Sequence, residues 1–468
     1  MSLNNVIELK AKIIDNDFCT GCGICAASTD SPFEMKMNED GRFIPVMKDD
    51  WNNNDNSSYI NPMELCPFSD KIENETDIGQ QLFEKYKSDF NKYTGFTIKN
   101  YAGYVTELDF RKKGSSGGMG NWLAYKLLEQ GEVDGIIHVK ETQSDSPEKI
   151  FKYDISYTFE QLREGAKSKY YPVELSEVVQ IVRENVGRYA LIGIPCFIKG
   201  IRLLAKKDSV INERIKYCIG LVCGHLKSDM FAKSIGWQLG IGPKELETID
   251  FRTKIENKPA NEYSVTAYGK NNNIQSSPTR DLYTTNWGQG YFRYNACEFC
   301  DDVVAETADV TVGDAWLPEY KSDSLGTNVI VVRNPIINDI LQESYNANRI
   351  YLDEITSVDI YKSQQSGFRH RREGLAYRLF LKDKKGEWRP QKRVEPSNKI
   401  TRKRKKIYKL RQEISLESFN AYRYAEEKDE FKYFINYMEP IVKKYKRVTE
   451  QPIYKKAIGK IKRKLLKA

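Results

Sequence analysis

Three thiols stand at positions 19, 22 and 25 in the run CTGCGIC, and a fourth, Cys66, stands directly before Pro67. Cysteines spaced like Cys19, Cys22 and Cys25 hold three corners of a [4Fe–4S] cube when the chain wraps around it. A remote Cys-Pro supplies the fourth corner. Gly21 and Gly23 leave room for backbone amides to approach the inorganic sulfides. A zinc knuckle, or thiols without metal, is the alternative, although zinc sites more often use separated pairs.

A second group is spread over the middle of the chain. Cys297 and Cys300 are two residues apart and are followed by ADVTVGD, an apolar run that ends in Gly313 and Asp314. Cys196 in GIPC and Cys223 in GLVC each follow an apolar stretch of strand character. Ligands in α/β proteins gather at the carboxyl ends of parallel strands, so these four thiols are expected to enclose a second [4Fe–4S] cluster. The alternative is that Cys196 and Cys223 are buried as small apolar residues. Cys218 lies inside a strand pattern, and burial is its expected state.

Ser115, Ser116, Gly117 and Gly118 precede an apolar helix containing Trp122 and Leu123. Small residues at a helix N-terminus leave amides for phosphate or flavin oxygens; a plain glycine-rich cap is the other reading. Ser168, Lys169 and Tyr170 offer charge and an aromatic ring to the same ligand, or form an ordinary solvated turn. Gly313 and Asp314 complete the expected cofactor-facing set. No catalytic group is fixed by the sequence; Lys169 and His225 are candidates, with His225 either a structural histidine, the favoured reading, or a proton donor near the flavin.

The elements that must position these residues follow from periodicity. The pattern predicts helices over 117–130 and 175–184, and strands over 133–139, 188–192, 215–222, 308–312 and 328–332. Such alternation predicts an α/β core with a mixed, partly parallel sheet over residues 98–368. Residues 1–80 form a small ferredoxin-like iron–sulfur domain in this reading, with a surface loop at 52–58. Residues 79–93 are expected to be a linking helix, and residues 369–468 a helical, basic C-terminal region.

Nine cysteines that cluster, in a chain of 468 residues, suggest metal sites in a reducing compartment rather than disulfides. No run of about 18 apolar residues or secretory signal is seen, so a cytoplasmic protein is expected. Residues 399–468 carry 22 lysines and arginines against eight aspartates and glutamates, which leaves the rest of a chain of net charge +8 mildly acidic. Ile458, Ile461 and Leu465 share one face of the basic tail, which offers peripheral contact with an anionic membrane, docks an acidic electron donor or is simply a solvated basic helix. No nucleic-acid-binding module is found.

Taken in order, CTGCGIC, SSGG, SKY, GIPC, GLVC and CEFCDDVVAETADVTVGDAW resemble the beta subunit family of coenzyme F-420 hydrogenase and dehydrogenase, over roughly residues 15–370. That family also includes flavin-dependent reductases of chlorophyll derivatives and bacterial relatives linked to polysaccharide synthesis. The resemblance implies an FAD-binding core and one or two [4Fe–4S] clusters. It assigns Ser115, Ser116, Gly117, Gly118, Ser168, Lys169 and Tyr170 to the flavin loops, and Cys196, Cys223, Cys297 and Cys300 to the flavin-proximal cluster. Two departures concern local contacts: Ile194 stands where Thr is frequent, and Gly224-His225 reverses a frequent His-Gly.

The expected protein is therefore an FAD- and [4Fe–4S]-dependent oxidoreductase. Electrons from ferredoxin or a partner subunit pass through the clusters to FAD and on to a small-molecule substrate, in polysaccharide biosynthesis by one extension of the resemblance. An electron-transfer adaptor without a substrate of its own is the alternative.

Overall fold

A computed structural model describes residues 3–49, 51, 59–142 and 149–450. The chain divides into two compact units. The first comprises Met1–Thr285 and Arg293–Asn398, the second Asn286–Phe292 and Lys399–Ala468.

The first unit is built on an eight-stranded sheet. Its order is Ile350–Glu354, Lys99–Val105, Asn328–Val332, Val310–Asp314, Ile215–Leu221, Tyr189–Gly193, Gly135–Glu141 and Phe151–Ser156. The four strands from Val310–Asp314 to Gly135–Glu141 run parallel to one another. The strands outside them pair antiparallel. Tyr189–Gly193 and Asn328–Val332 are buried at every position, as strands covered on both faces must be. The sheet is thus mixed and partly parallel, and the fold is α/β.

The covering helices have identifiable starts. Pro195 opens the helix Pro195–Ala205, where its fixed φ and missing N–H cost nothing. Met119–Glu129 follows Gly118, whose φ of 88° is left-handed. A separate antiparallel sheet of Leu246–Lys254, Tyr263–Gly269 and Asn273–Pro278 supplies charged residues to the site. The N-terminal segment adds the hairpin Phe33–Met37 and Phe43–Met47.

The linking helix expected over 79–93 is shorter and starts earlier. Asn74 and Asp77 form a reciprocal capping box that begins a helix at Glu75–Phe83. Lys87 then takes a left-handed φ of 54°, and the chain turns into a hairpin of Asp89–Asn91 and Gly95–Thr97. The loop at 52–58 and the face carrying Ile458, Ile461 and Leu465 lie outside the described residues.

The second unit pairs the helices Arg402–Glu427 and Lys432–Thr449. Its core is aromatic: Phe292 meets Phe419, Tyr422 and Phe434 at ring-centroid distances of 5.8, 5.8 and 5.6 Å. The Phe292 amide donates to Ser418 Oγ at 2.8 Å. No helix among the described residues is long and apolar enough to cross a membrane.

Candidate metal centre and cofactor site

Eight of the nine cysteines fall into two groups of four, and all nine are free thiols. In the first group Cys19, Cys25 and Cys66 each lie within electrostatic reach of Cys22, and Cys25 also of Cys19 and Cys66. In the second group Cys196 is within reach of Cys223, Cys300 and Cys297.

Local backbone conformation builds the first group. Gly21 and Gly23 have φ of 68° and 80°, values that side chains with a Cβ rarely adopt. A Cβ at Gly21 would stand 2.7 Å from the Phe43 carbonyl oxygen, and one at Gly23 2.4 Å from Glu174 Oε2. The loop can therefore fold only as glycine allows.

Donors converge on its sulfurs. The Gly21 amide donates to Cys19 Sγ at 3.3 Å. The Ile24 amide and the Thr20 hydroxyl face Cys22, the Ala26 amide faces Cys25 and the Phe68 amide faces Cys66. Burial pushes every one of these thiols above its ordinary pKa, Cys66 to about 12, and at Cys19, Cys25 and Cys66 the neighbouring thiols push the same way. Four clustered thiols that carry donors aimed at sulfur suit a positively charged metal core.

The second group sits at the carboxyl ends of parallel strands. Cys196 lies in the first turn of Pro195–Ala205, just past the strand ending at Gly193. Cys223 follows the strand ending at Leu221, and its amide donates to the Val303 carbonyl at 3.1 Å. That bond draws in the segment bearing Cys297 and Cys300. The Leu226 amide donates to Cys297 Sγ at 3.2 Å. Burial raises Cys223 to about 11 and Cys297 to about 12.

Arg371, 1% exposed, adds a buried cation. Its Nη2 donates to the Gly224 carbonyl at 2.9 Å, and the guanidinium also hydrogen-bonds the sulfurs of Cys300 and Cys223. The thiols of Cys300, Cys223 and Cys297 are within its electrostatic reach. A buried guanidinium that faces cysteine sulfur fits an anionic iron–sulfur core. Among the described residues no three His, Cys, Asp or Glu side chains converge on a single-ion site; thiols that bind separate irons of a cube stand wider apart than the ligands of one ion.

The two groups adjoin. Cys22 is within electrostatic reach of Cys196, and Tyr153 is within reach of both. Cys22, Cys297 and Cys196 also share one apolar cluster with Ile24, Tyr153 and Leu175. Cys218 belongs to neither group. It is fully buried, and its amide donates to Asp309 Oδ2 at 2.7 Å.

The expected flavin loops meet along the same edge of the sheet. Gly103, Asn328 and Asp314 are paired across three adjacent strands, and Asn328 Oδ1 accepts from the Met119 amide at 3.1 Å. The first helical amide after the SSGG run is therefore already bound. A Cβ on Gly117 would lie 2.7 Å from Asn328 Oδ1, so this glycine answers to close packing. Ser116 is buried, its hydroxyl donating to the Thr327 carbonyl at 3.1 Å. The Ser168 amide donates to Ser115 Oγ at 2.8 Å, which joins the two loops.

Sequence reasoning missed the cations between these loops, because the strand Leu246–Lys254 carries no motif. Arg252 pairs with Asp314 at 3.1 Å and donates to the Ser115 carbonyl at 3.2 Å. Despite burial, Asp314 and Tyr170 hold its pKa well up. Lys254 donates to the carbonyls of Arg111, Ser116 and Leu325. Burial and the nearby cations Arg111, Arg252 and Lys167 lower its pKa to about 8. Lys169 is lowered by burial, against the pull of Glu141 at 3.3 Å. Tyr170 packs on Phe251 with ring centroids 5.3 Å apart. His225 sits in the loop between Cys223 and the helix Asp229–Gln238. A cationic, aromatic-lined edge of this kind can take an anionic, planar ligand.

Fold and site together define an α/β protein with two adjoining tetrathiol groups, the second at the carboxyl ends of its parallel strands. Residues 100–180 match the N-terminal part, and residues 186–358 the C-terminal part, of the coenzyme F420 hydrogenase/dehydrogenase beta subunit. The chain belongs to that family. Among curated relatives, a subunit of the F(420)H(2) dehydrogenase of Methanosarcina mazei is 22% identical over 70% of this chain and 82% of its own. The coenzyme F420-dependent sulfite reductase of Methanocaldococcus jannaschii is 23% identical over 74% of this chain and 49% of its own, so the chain spans about half of that relative. A solved chain of the F420-reducing [NiFe] hydrogenase complex from Methanosarcina barkeri is 16% identical, with a TM-score of 0.47, covering 63% of this chain and 94% of that one.

Proposed function

We propose that this chain is an electron-transferring oxidoreductase subunit that holds two [4Fe–4S] clusters and an FAD. Cys19, Cys22, Cys25 and Cys66 hold the first cluster in this reading, and Cys196, Cys223, Cys297 and Cys300 the second. The observation that carries it is the approach of Cys22 to Cys196, which sets the two tetrathiol groups side by side in one apolar interior.

When bound, the clusters supply one-electron transfer, and the flavin supplies the exchange between one- and two-electron steps. The chain supplies position. Gly21 and Gly23 shape the first loop, and the packing of Ile24, Leu175 and Tyr153 keeps water from the space between the groups. Ser115, Ser168 and Arg252 tie the two flavin loops to each other and to Asp314. Ser116, Gly117, Gly118, Lys169, Tyr170 and Gly313 shape the same edge, and His225 or Lys169 is the group to hand over a proton.

Electrons enter at the first thiol group from ferredoxin or a partner subunit. The names of the relatives favour coenzyme F420 as the two-electron partner. Nothing in those names points to a polysaccharide precursor. A cytoplasmic place belongs to the same reading.

The test is an anaerobic assay of iron, sulfide and flavin per chain. About eight irons and one flavin are expected for two cubes and one FAD. Protein that carries zinc alone, or no flavin after anaerobic reconstitution, overturns the reading.

A further inference from the structure

Arg371 lies on a π-helical turn, His370–Gly374, set between the helices Gln365–Arg369 and Leu375–Lys385. Such a turn takes one more residue than an α-helical turn, re-aims the side chains it carries and recurs at functional sites. Here it delivers a guanidinium into the interior.

Its Nη2 reaches the Gly224 carbonyl at 2.9 Å, next to Cys223, and the guanidinium lies against the thiols of Cys300, Cys223 and Cys297. The cations beside the first thiol group are differently placed. Lys199 sits 3.0 Å from Glu75, and Lys392 3.7 Å from Asp301. Their charges reach Cys66 but are shared with these carboxylates, whereas Arg371 is set against thiols. A buried cation without a matching anion is costly, so its place here implies that an anion normally stands among the four cysteines.

We propose that Arg371 raises the reduction potential of the cluster held by Cys196, Cys223, Cys297 and Cys300, and so makes that group the downhill acceptor from the first. The inference rests on the proposed function. The step it governs is a one-electron reduction by a one-electron donor, the first cluster in the protein or dithionite in vitro. The donor loses one electron, and the tetrathiolate cube goes from a total charge of −2 to −3. No bond breaks and no proton or atom moves. A fixed positive charge stabilises the −3 state more than the −2 state, since Coulomb energy grows with the product of charges. Removing the charge makes reduction harder.

The test is a dithionite titration of the full reconstituted chain, followed by electron paramagnetic resonance. In Arg371→Gln the iron content stays at the wild-type level, while the reduced-to-oxidised ratio of the second cluster at a fixed potential falls about tenfold, or about 59 mV for a one-electron couple. The first cluster keeps its potential, and Arg371→Lys recovers most of the shift. A second measurement needs no change at Arg371. In Cys22→Ala, which keeps only the second group, the surviving signal is the higher-potential one of the wild-type pair. Full iron with an unchanged potential in Arg371→Gln, or survival of the lower-potential signal in Cys22→Ala, overturns the inference and leaves the two-cluster reading standing. Wild-type protein with iron at the first group alone overturns both.

Discussion

Gly200 stands directly against Ile24: a Cβ placed on it would lie 2.7 Å from Ile24 Cγ1. Gly200 is one turn beyond Cys196 on the helix Pro195–Ala205, and Ile24 lies between Cys22 and Cys25. The absence of a side chain at position 200 is therefore what lets the two thiol-bearing segments close on each other. Gly200→Val should overpack this contact and cost about 1–3 kcal/mol. Chemical unfolding of the variant measures that loss; a midpoint equal to wild type would show that the helix and loop do not need this approach.

The two thiol groups should be separable by mutation. Cys22→Ala is expected to lose about four irons per chain and keep the flavin, because the other group retains its own four thiols. Cys297→Ala should lose a similar amount from the second group. Iron and flavin assays on the two variants decide this. Loss of all iron and flavin from Cys22→Ala would mean that the groups do not load independently.

Much of this arrangement is legible in sequence because thiols are scarce and their spacing is chemically restrictive. CTGCGIC leaves few alternatives for Cys19, Cys22 and Cys25, and Cys196 and Cys223 declare themselves by following apolar strands. Individual strands are also readable: 328–332 falls where the pattern puts it, and the strand at 189–193 is displaced by one residue. Arg371 was not readable. It lies in the run Arg369-His370-Arg371-Arg372, and only the π-helical turn separates the buried arginine from its more exposed neighbours. Arg252 and Lys254 were hidden for a related reason. Their strand belongs to a separate sheet, and nothing in local periodicity tells which loops it will reach.

Lys254 gives a prediction about those loops. Its ammonium donates to the carbonyls of Arg111, Ser116 and Leu325, so it ties three backbone segments beside the expected flavin edge. Lys254→Met removes a charged donor and should cost about 1.5–3 kcal/mol, the usual worth of a hydrogen bond to a charged group. The ratio of flavin to iron in purified variant protein should fall, since the thiol groups are not touched. An unchanged ratio would remove the Ser116 loop from the flavin site.

His138 sets an acid limit on stability. It lies in the strand Gly135–Glu141, its Nε2 hydrogen-bonds Ser156 Oγ at 2.8 Å, and burial lowers its pKa to about 4, with Lys140 pushing the same way and Asp154 opposing. In the unfolded chain the imidazole takes up its proton near pH 6.5. Between these values the unfolded state binds more protons than the folded state, so stability falls as pH drops from about 6.5 to about 4 and the contribution levels off below that. The loss attributable to this residue is about 3 kcal/mol at the acid end. His138→Gln removes the titration, so its urea unfolding midpoint should change less with pH across this window than that of the wild type. Parallel pH profiles for the two proteins would show that the imidazole is protonated in the folded core, or that its neighbours carry the acid sensitivity instead.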